Sequence, residues 1–95
     1  APTPYVKLQQ TADQVLARRR QDVIQMTEAL AREDFAVMRE IGPGIKGAGG
    51  TYGLEAITSY GRSLETAASR KDAPAVREIL ERLRRFLDRL QLIYV

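Results

Sequence analysis

The chain contains no cysteine and no histidine among its 95 residues. Without cysteine it can form no disulfide, no thiolate nucleophile and no cysteine-based metal site, and without histidine it lacks the commonest metal ligand and the commonest general base. Nor do Glu40, Glu55 and Glu65 form a paired-carboxylate site at any recognisable spacing. We therefore expect a protein that is not an enzyme and that binds no metal, no cofactor and no small-molecule substrate.

Long apolar runs are missing as well. No stretch approaches the ~20 apolar residues that are needed to span a bilayer, and the opening Ala1–Pro4 segment is not a basic-then-apolar signal peptide. With 44% hydrophobic and 28% charged residues, the composition is that of a single globular domain. We expect a cytoplasmic protein that makes no membrane contact.

The charge balance leans basic, with a formal net charge of +3 and a pI near 9.6. Arginines are densest at residues 18–20 and 82–89, and acidic residues are interspersed with both groups. Such mixing is typical of a solvated helix face, and charge alone is a weak indication of nucleic-acid binding. We therefore predict solvated arginines and do not favour a nucleic-acid partner.

Apolar residues recur at spacings of three and four along almost the whole chain, which predicts four helices and no strand. Capping signals place the first helix from Thr11 to about Arg32, the second from Asp34 to Gly53, the third from Leu54, and the fourth from Asp72 and Pro74. The predicted core faces are Val15, Leu16, Val23, Met26 and Leu30; Met38, Ile41, Ile45, Ala48 and Tyr52; Leu54, Ile57, Gly61, Leu64 and Ala68; and Val76, Ile79, Leu80, Leu83, Phe86, Leu87, Leu90 and Ile93. Short connections favour an all-α, up-down-up-down antiparallel four-helix bundle over residues 11–95, preceded by an N-terminal arm of residues 1–10.

The most informative segment is residues 41–54, with the sequence IGPGIKGAGGTYGL. At about 100° per residue, the helix face opposite the apolar stripe of the second helix carries Arg39, Pro43, Lys46, Gly47 and Gly50, which we expect to be exposed. A proline inside a helix lacks a hydrogen-bond donor and costs about 3 kcal/mol relative to alanine. We therefore predict a second helix that is kinked near Pro43.

This segment resembles the phosphoacceptor helix of histidine-containing phosphotransfer (HPt) domains, in which a histidine is followed three and four residues later by lysine and glycine. Lys46 and Gly47 match that pattern, and the likeness continues through residues 52–54 and 64–65. Pro43 stands at the histidine position. The resemblance implies an HPt-like bundle of two-component phosphorelay signalling, whose partner is a response-regulator receiver domain or a histidine kinase.

By the same resemblance, Lys46 inherits the contact with phosphate, and the glycines inherit the docking surface together with Arg39 and Pro43. A proline ring offers no nucleophile, so phosphotransfer through Pro43 is chemically excluded. The chain would then be a pseudo-phosphotransfer module, or a His-to-Pro variant of an active one.

Two other interpretations stay open from the sequence. Ile41-Gly42-Pro43-Gly44 followed by Ala48 is similar to a helix-hairpin-helix DNA-binding element, in which Pro43 would fall in the hairpin. Alternatively, the chain is a structural helical bundle of a larger protein. A dimer could form through the apolar C-terminal residues Leu92–Val95.

Overall fold

A computed structural model describes the backbone of residues 4–51 and 55–94, and the side chains of residues 13–48 and 55–90. The described residues form four helices: α1 (Pro4–Ala31), α2 (Phe35–Thr51), α3 (Glu55–Ser69) and α4 (Ala73–Tyr94). The predicted all-α four-helix bundle is therefore confirmed. No described helix has both the length and the apolar character that crossing a membrane requires.

The first helix begins earlier than its sequence signals suggested. Helix α1 starts at Pro4, so the predicted start at Thr11 is wrong and residues 4–10 belong to α1 rather than to an N-terminal arm. Proline suits the first helical position, because the N–H that it lacks would have no partner inside the helix there. The capping-box pattern at Thr11 therefore lies inside a helix that has already begun.

The turn between α1 and α2 consists of residues 32–34 and stops α1 with a left-handed residue. Glu33 has a φ of 55°, and the following N–H of Asp34 donates to the carbonyl of Ala29 at 2.8 Å. This is the bond pattern by which a left-handed residue closes the last turn of a helix. The Asp34 carboxylate then accepts a hydrogen bond from Val37 N at 3.3 Å, which confirms the predicted cap of α2.

The turn between α3 and α4, residues 70–72, is built in the same way. Lys71 has a φ of 54°, and Asp72 N donates to the carbonyl of Ala67 at 3.0 Å. The Asp72 carboxylate accepts from Ala75 N at 3.2 Å and caps α4, as the sequence predicted. Because each turn reverses the chain within three residues, the helices that it joins are antiparallel neighbours.

Each helix packs against its neighbours in the chain, and α4 returns to pack against α1. An ion pair between Arg20 and Asp88, at 2.9 Å, joins α1 to α4. The buried apolar residues are Val15, Leu16, Val23, Met26, Ala29, Met38, Ile45, Ile57, Leu64, Ala67, Ala68, Val76, Leu80, Leu83, Leu87 and Leu90. All of them except Ala29 and Ala67 were predicted, whereas five predicted core residues are only half-buried: Leu30, Ile41, Ala48, Ile79 and Phe86. The predictions for Tyr52, Gly53, Leu54 and Ile93, and for a dimer through residues 92–95, lie outside the described side chains.

Helices α2 and α3 approach each other closely at two glycines. A Cβ atom added at Gly61 would lie 2.7 Å from Lys46 Cα and would also collide with the nitrogen of Lys46. A Cβ atom at Gly42 would lie 2.7 Å from Glu65 Cγ. The backbone of α2 thus rests directly on α3, because neither glycine has a side chain to hold the helices apart.

Helix α2 continues through Pro43 without interruption from Phe35 to Thr51. A helix-hairpin-helix element requires a break at residues 42–44, so that interpretation is wrong. The hydrogen bond from residue 43 to the carbonyl of Arg39 is missing, because proline has no N–H. The kink near Pro43 stays a prediction.

Candidate functional site

The exposed side of α2 carries three of the five residues that the sequence singled out. Arg39, Pro43 and Gly47 are exposed at successive spacings of four, on the side opposite the buried Met38 and Ile45. We call the surface formed by Arg39, Pro43, Gly44 and Gly47 the α2 face. The exposure predicted for Gly50 lies outside the described side chains.

Two glycines of the α2 face are not required by packing within the chain. A Cβ atom added at Gly44 or at Gly47 would meet no atom within 4 Å, in contrast to the crowded positions Gly42 and Gly61. Glycine inside a helix costs about 1 kcal/mol relative to alanine, so these two residues weaken α2 without improving its contacts. Their effect is to leave the helix backbone accessible from solvent.

Lys46 lies at the edge of the α2 face and is turned toward α3. Its ammonium group is 3.4 Å from Glu65 Oε2, and its side chain is 41% exposed rather than fully solvated. The hydroxyl of Thr58 donates to the carbonyl of Lys46 at 3.0 Å and fixes the backbone there. The second oxygen of Glu65, Oε1, is buried and makes no hydrogen bond. Lys46 is therefore held by a carboxylate next to the α2 face and still reaches solvent.

A buried ion pair of α1 contacts the backbone of α2 beneath the α2 face. Arg19 and Asp22 of α1 are only 7% and 3% exposed, and Arg19 Nε lies 2.9 Å from Asp22 Oδ2. Arg19 Nη1 also donates to the carbonyl of Gly44 at 2.8 Å. Burial raises the pKa of Asp22, while Arg19 and then Arg18 act in the opposite direction. The arginine therefore ties α1 to the glycine segment of α2.

This pair corrects the sequence interpretation of the first arginine cluster. All its members were expected to be solvated, whereas Arg19 lies in the core together with Asp22. The sequence could have indicated this burial. One face of α1 carries Val15, Arg19, Asp22 and Met26 at successive spacings of four, three and four residues. Arginine and aspartate on a core stripe indicate a buried pair.

The site carries little reactive chemistry. No histidine occurs in the chain, and the ring of Pro43 carries no atom that could accept a phosphoryl group. Within the described ranges, no group of three or more acidic side chains could hold a metal ion. The α2 face can thus contribute shape and positive charge, from Arg39 and Lys46, to an encounter with another molecule.

A family model for the Hpt domain matches residues 8–92. The chain belongs to the Hpt domain family. Hpt domains are phosphotransfer carriers in phosphorelays, where they interact with receiver domains and histidine kinases, so this Hpt domain is a phosphorelay-type signalling module. No curated protein and no solved structure matched the chain.

Proposed function

We propose that this Hpt domain binds receiver domains through its α2 face without accepting a phosphoryl group. The observation that carries the proposal is the position of Pro43, which is exposed in the middle of an uninterrupted α2. A non-nucleophilic residue there leaves the surrounding surface in place. We also propose the cytoplasm, where such relays operate, as its compartment.

The shape of the α2 face supports docking. Because Gly44 and Gly47 have open space above them, a partner can approach the helix backbone without meeting a side chain. Packing of the Hpt domain itself gives no reason for glycine at either position. Together the two glycines lower helix stability by roughly 2 kcal/mol relative to alanine. A partner that needs the open space would explain why glycine is present at both positions.

The charges of the site support an acidic partner. Arg39 is exposed on the α2 face, and Lys46 is paired with Glu65 at 3.4 Å across a partly exposed gap. Ion pairs of this kind contribute at most ~1 kcal/mol, so a carboxylate or a phosphorylated aspartate of a partner can replace Glu65. We infer that Lys46 changes partner when a receiver domain docks.

Receiver binding is tested by titrating candidate receiver domains, with and without phosphorylation, into the domain by calorimetry. Gly47→Gln should weaken binding at least tenfold, because the new side chain fills the open space, and Lys46→Glu should weaken it by reversing a charge. Ala56→Gln is the matched control, since it adds the same side chain at an exposed position of α3 that belongs to neither proposed surface. Equal affinities for Gly47→Gln and Ala56→Gln would move the interface away from the α2 face.

Loss of phosphate acceptance is tested separately by mixing the domain, and its Pro43→His variant, with the same phosphorylated receivers. Acid-labile phosphate should appear on the Pro43→His variant alone. Phosphate on the unaltered chain would refute the loss of acceptor function, even if docking on the α2 face were established.

A further inference from the structure

We propose that the groove between α1 and α4 is a second docking site, whose occupant is an amphipathic helix of another protein with acidic residues spaced seven apart. The groove lies away from the α2 face, because α4 is the neighbour of α1 and α3, and among the described residues its backbone does not approach that of α2. A molecule bound there would leave the α2 face free.

The groove has an apolar floor and a rim that carries two arginines and one glutamate. Its volume is about 410 Å³, and its floor includes Val23 and Leu30 of α1 and Leu80 of α4. Arg77, Glu81 and Arg84 line it from the side of α4, and the carboxylate of Glu81 is already paired with Arg85 at 3.1 Å. Grooves between helices that combine an apolar floor with a charged rim are bound by amphipathic helices, whose apolar side chains enter the floor.

Helix α1 also presents an apolar seam beside the groove. Ala17, Ile24 and Ala31 are exposed and follow one another at intervals of seven residues. Ile24 is 51% exposed, the one large hydrophobic residue among the described side chains that faces solvent to this extent. A seven-residue repeat of small and apolar residues on a helix surface matches a second helix packed alongside it. The seam and the groove together fit a helix laid along α1 and α4.

The two arginines of the rim favour an acidic occupant. Arg82 pairs with Glu78 at 2.8 Å and Arg85 with Glu81 at 3.1 Å, whereas neither Arg77 nor Arg84 makes an ion pair with a described residue. These two arginines are seven residues apart on one helix, which separates them by about 10 Å along its axis. Carboxylates seven apart on a roughly parallel or antiparallel helix have the same separation and would face both arginines.

A second copy of the domain does not supply this pattern. Among the described side chains, the exposed acidic residues seven apart on one helix are Glu81 and Asp88. Glu81 already pairs with Arg85 at 3.1 Å, and Asp88 with Arg20 at 2.9 Å. A dimer through the groove would therefore leave Arg77 and Arg84 without acidic partners, which favours a different protein as the occupant.

The probe for a test is a fluorescein-labelled synthetic peptide of about 18 residues, long enough to form a helix on binding. It carries leucines at heptad spacing on one face and two glutamates seven residues apart beside them. A second peptide has glutamine in place of both glutamates. Binding to the full chain is followed by fluorescence anisotropy, and the site is mapped by amide chemical shifts. We expect the largest shifts at Ile24, Thr27 and Leu80, and weaker binding of the glutamine peptide.

Two double variants separate the groove from general positive charge. Arg77→Gln with Arg84→Gln should weaken binding of the glutamate peptide about tenfold, a loss within the range for two exposed ion pairs. Arg82→Gln with Arg89→Gln removes the same charge at the same spacing from another face of α4, and it should change the affinity less than twofold. Ile24→Ser should also weaken binding, because it removes the apolar side chain of the seam.

Three outcomes would overturn the proposal. The first is an equal loss of affinity in both double variants, which would show nonspecific attraction to a basic protein. The second is the absence of shifts around the groove at about 1 mM peptide. The third is a dimer in sedimentation that Ile24→Ser dissociates, since the groove would then belong to a second copy of the domain.

Discussion

Substituting glycines of α2 and α3 by alanine should change stability in opposite directions, depending on what lies beside each glycine. At Gly47 a new methyl group would meet no atom within 4 Å. The variant Gly47→Ala therefore gains the difference in helix propensity, about 1 kcal/mol, with no packing cost. For a domain of this size, that gain corresponds to a rise in Tm of roughly 4–8 °C.

At Gly61 the same substitution meets the backbone of α2. The new methyl group would lie 2.7 Å from Lys46 Cα and closer still to its nitrogen, and these atoms cannot rotate away as a side chain can. Overpacking costs about 1–3 kcal/mol, and we expect a value near 3 because backbone atoms must move. After the propensity gain of about 1 kcal/mol, Gly61→Ala should lose about 2 kcal/mol.

The parent and both variants are denatured by heat and by urea, and unfolding is monitored by the circular dichroism signal at 222 nm, which reports helix content. A Gly61→Ala variant as stable as the parent would mean that α2 and α3 are not in backbone contact. A Gly47→Ala variant less stable than the parent would mean that the space above the α2 face is occupied in the isolated domain. Either result would refute the reasoning from the geometry of these glycines.

Three further predictions concern the ion pair, the proline and the turns. Burial raises the pKa of Asp22 above its ordinary value of 3.8, so the folded state holds this proton more tightly than the unfolded state does. The resulting stabilisation is fully present below the unfolded-state pKa and is lost as the pH rises through the folded-state pKa. The unfolding free energy of the parent minus that of Asp22→Asn should therefore decrease when urea titrations are repeated at pH values from about 3 upward. An increase would contradict the burial argument. Pro43→His should raise stability by ~2 kcal/mol on helix propensity, and an equal or lower Tm would show that a proline kink is part of the native packing. Glu33→Gly and Lys71→Gly should each raise stability by about 0.5–1 kcal/mol, because both positions have a positive φ, and a loss in chemical denaturation would contradict this.

Most of the fold could be predicted from the sequence, because the four helices are amphipathic and two of them begin at an aspartate cap. The apolar stripes predicted their buried faces, and Asp34 and Asp72 marked the starts of α2 and α4 within a residue. The start of α1 could not be predicted, since a proline at the first helical position and a proline in an arm look alike in sequence.

The candidate site could be predicted in outline only. Helical spacing placed Arg39, Pro43 and Gly47 on the exposed side of α2. The turn of Lys46 toward Glu65 depends on how closely α3 approaches, which follows from tertiary packing at Gly61 and not from the sequence of α2. Whether α2 continues through Pro43 could not be decided from the sequence either. The helix continues because burial of its apolar side outweighs the local cost of the proline, and that burial depends on tertiary packing.

The two short turns have a consequence for the order in which the bundle assembles. Each joins its helices within three residues, so the α1–α2 and α3–α4 hairpins can close locally and at little entropic cost. Pairing of α1 with α4 instead joins distant parts of the chain, such as Arg20 and Asp88. We expect this pairing to form last, both in refolding and during synthesis on the ribosome. The α2 face would then take shape before the groove between α1 and α4 exists.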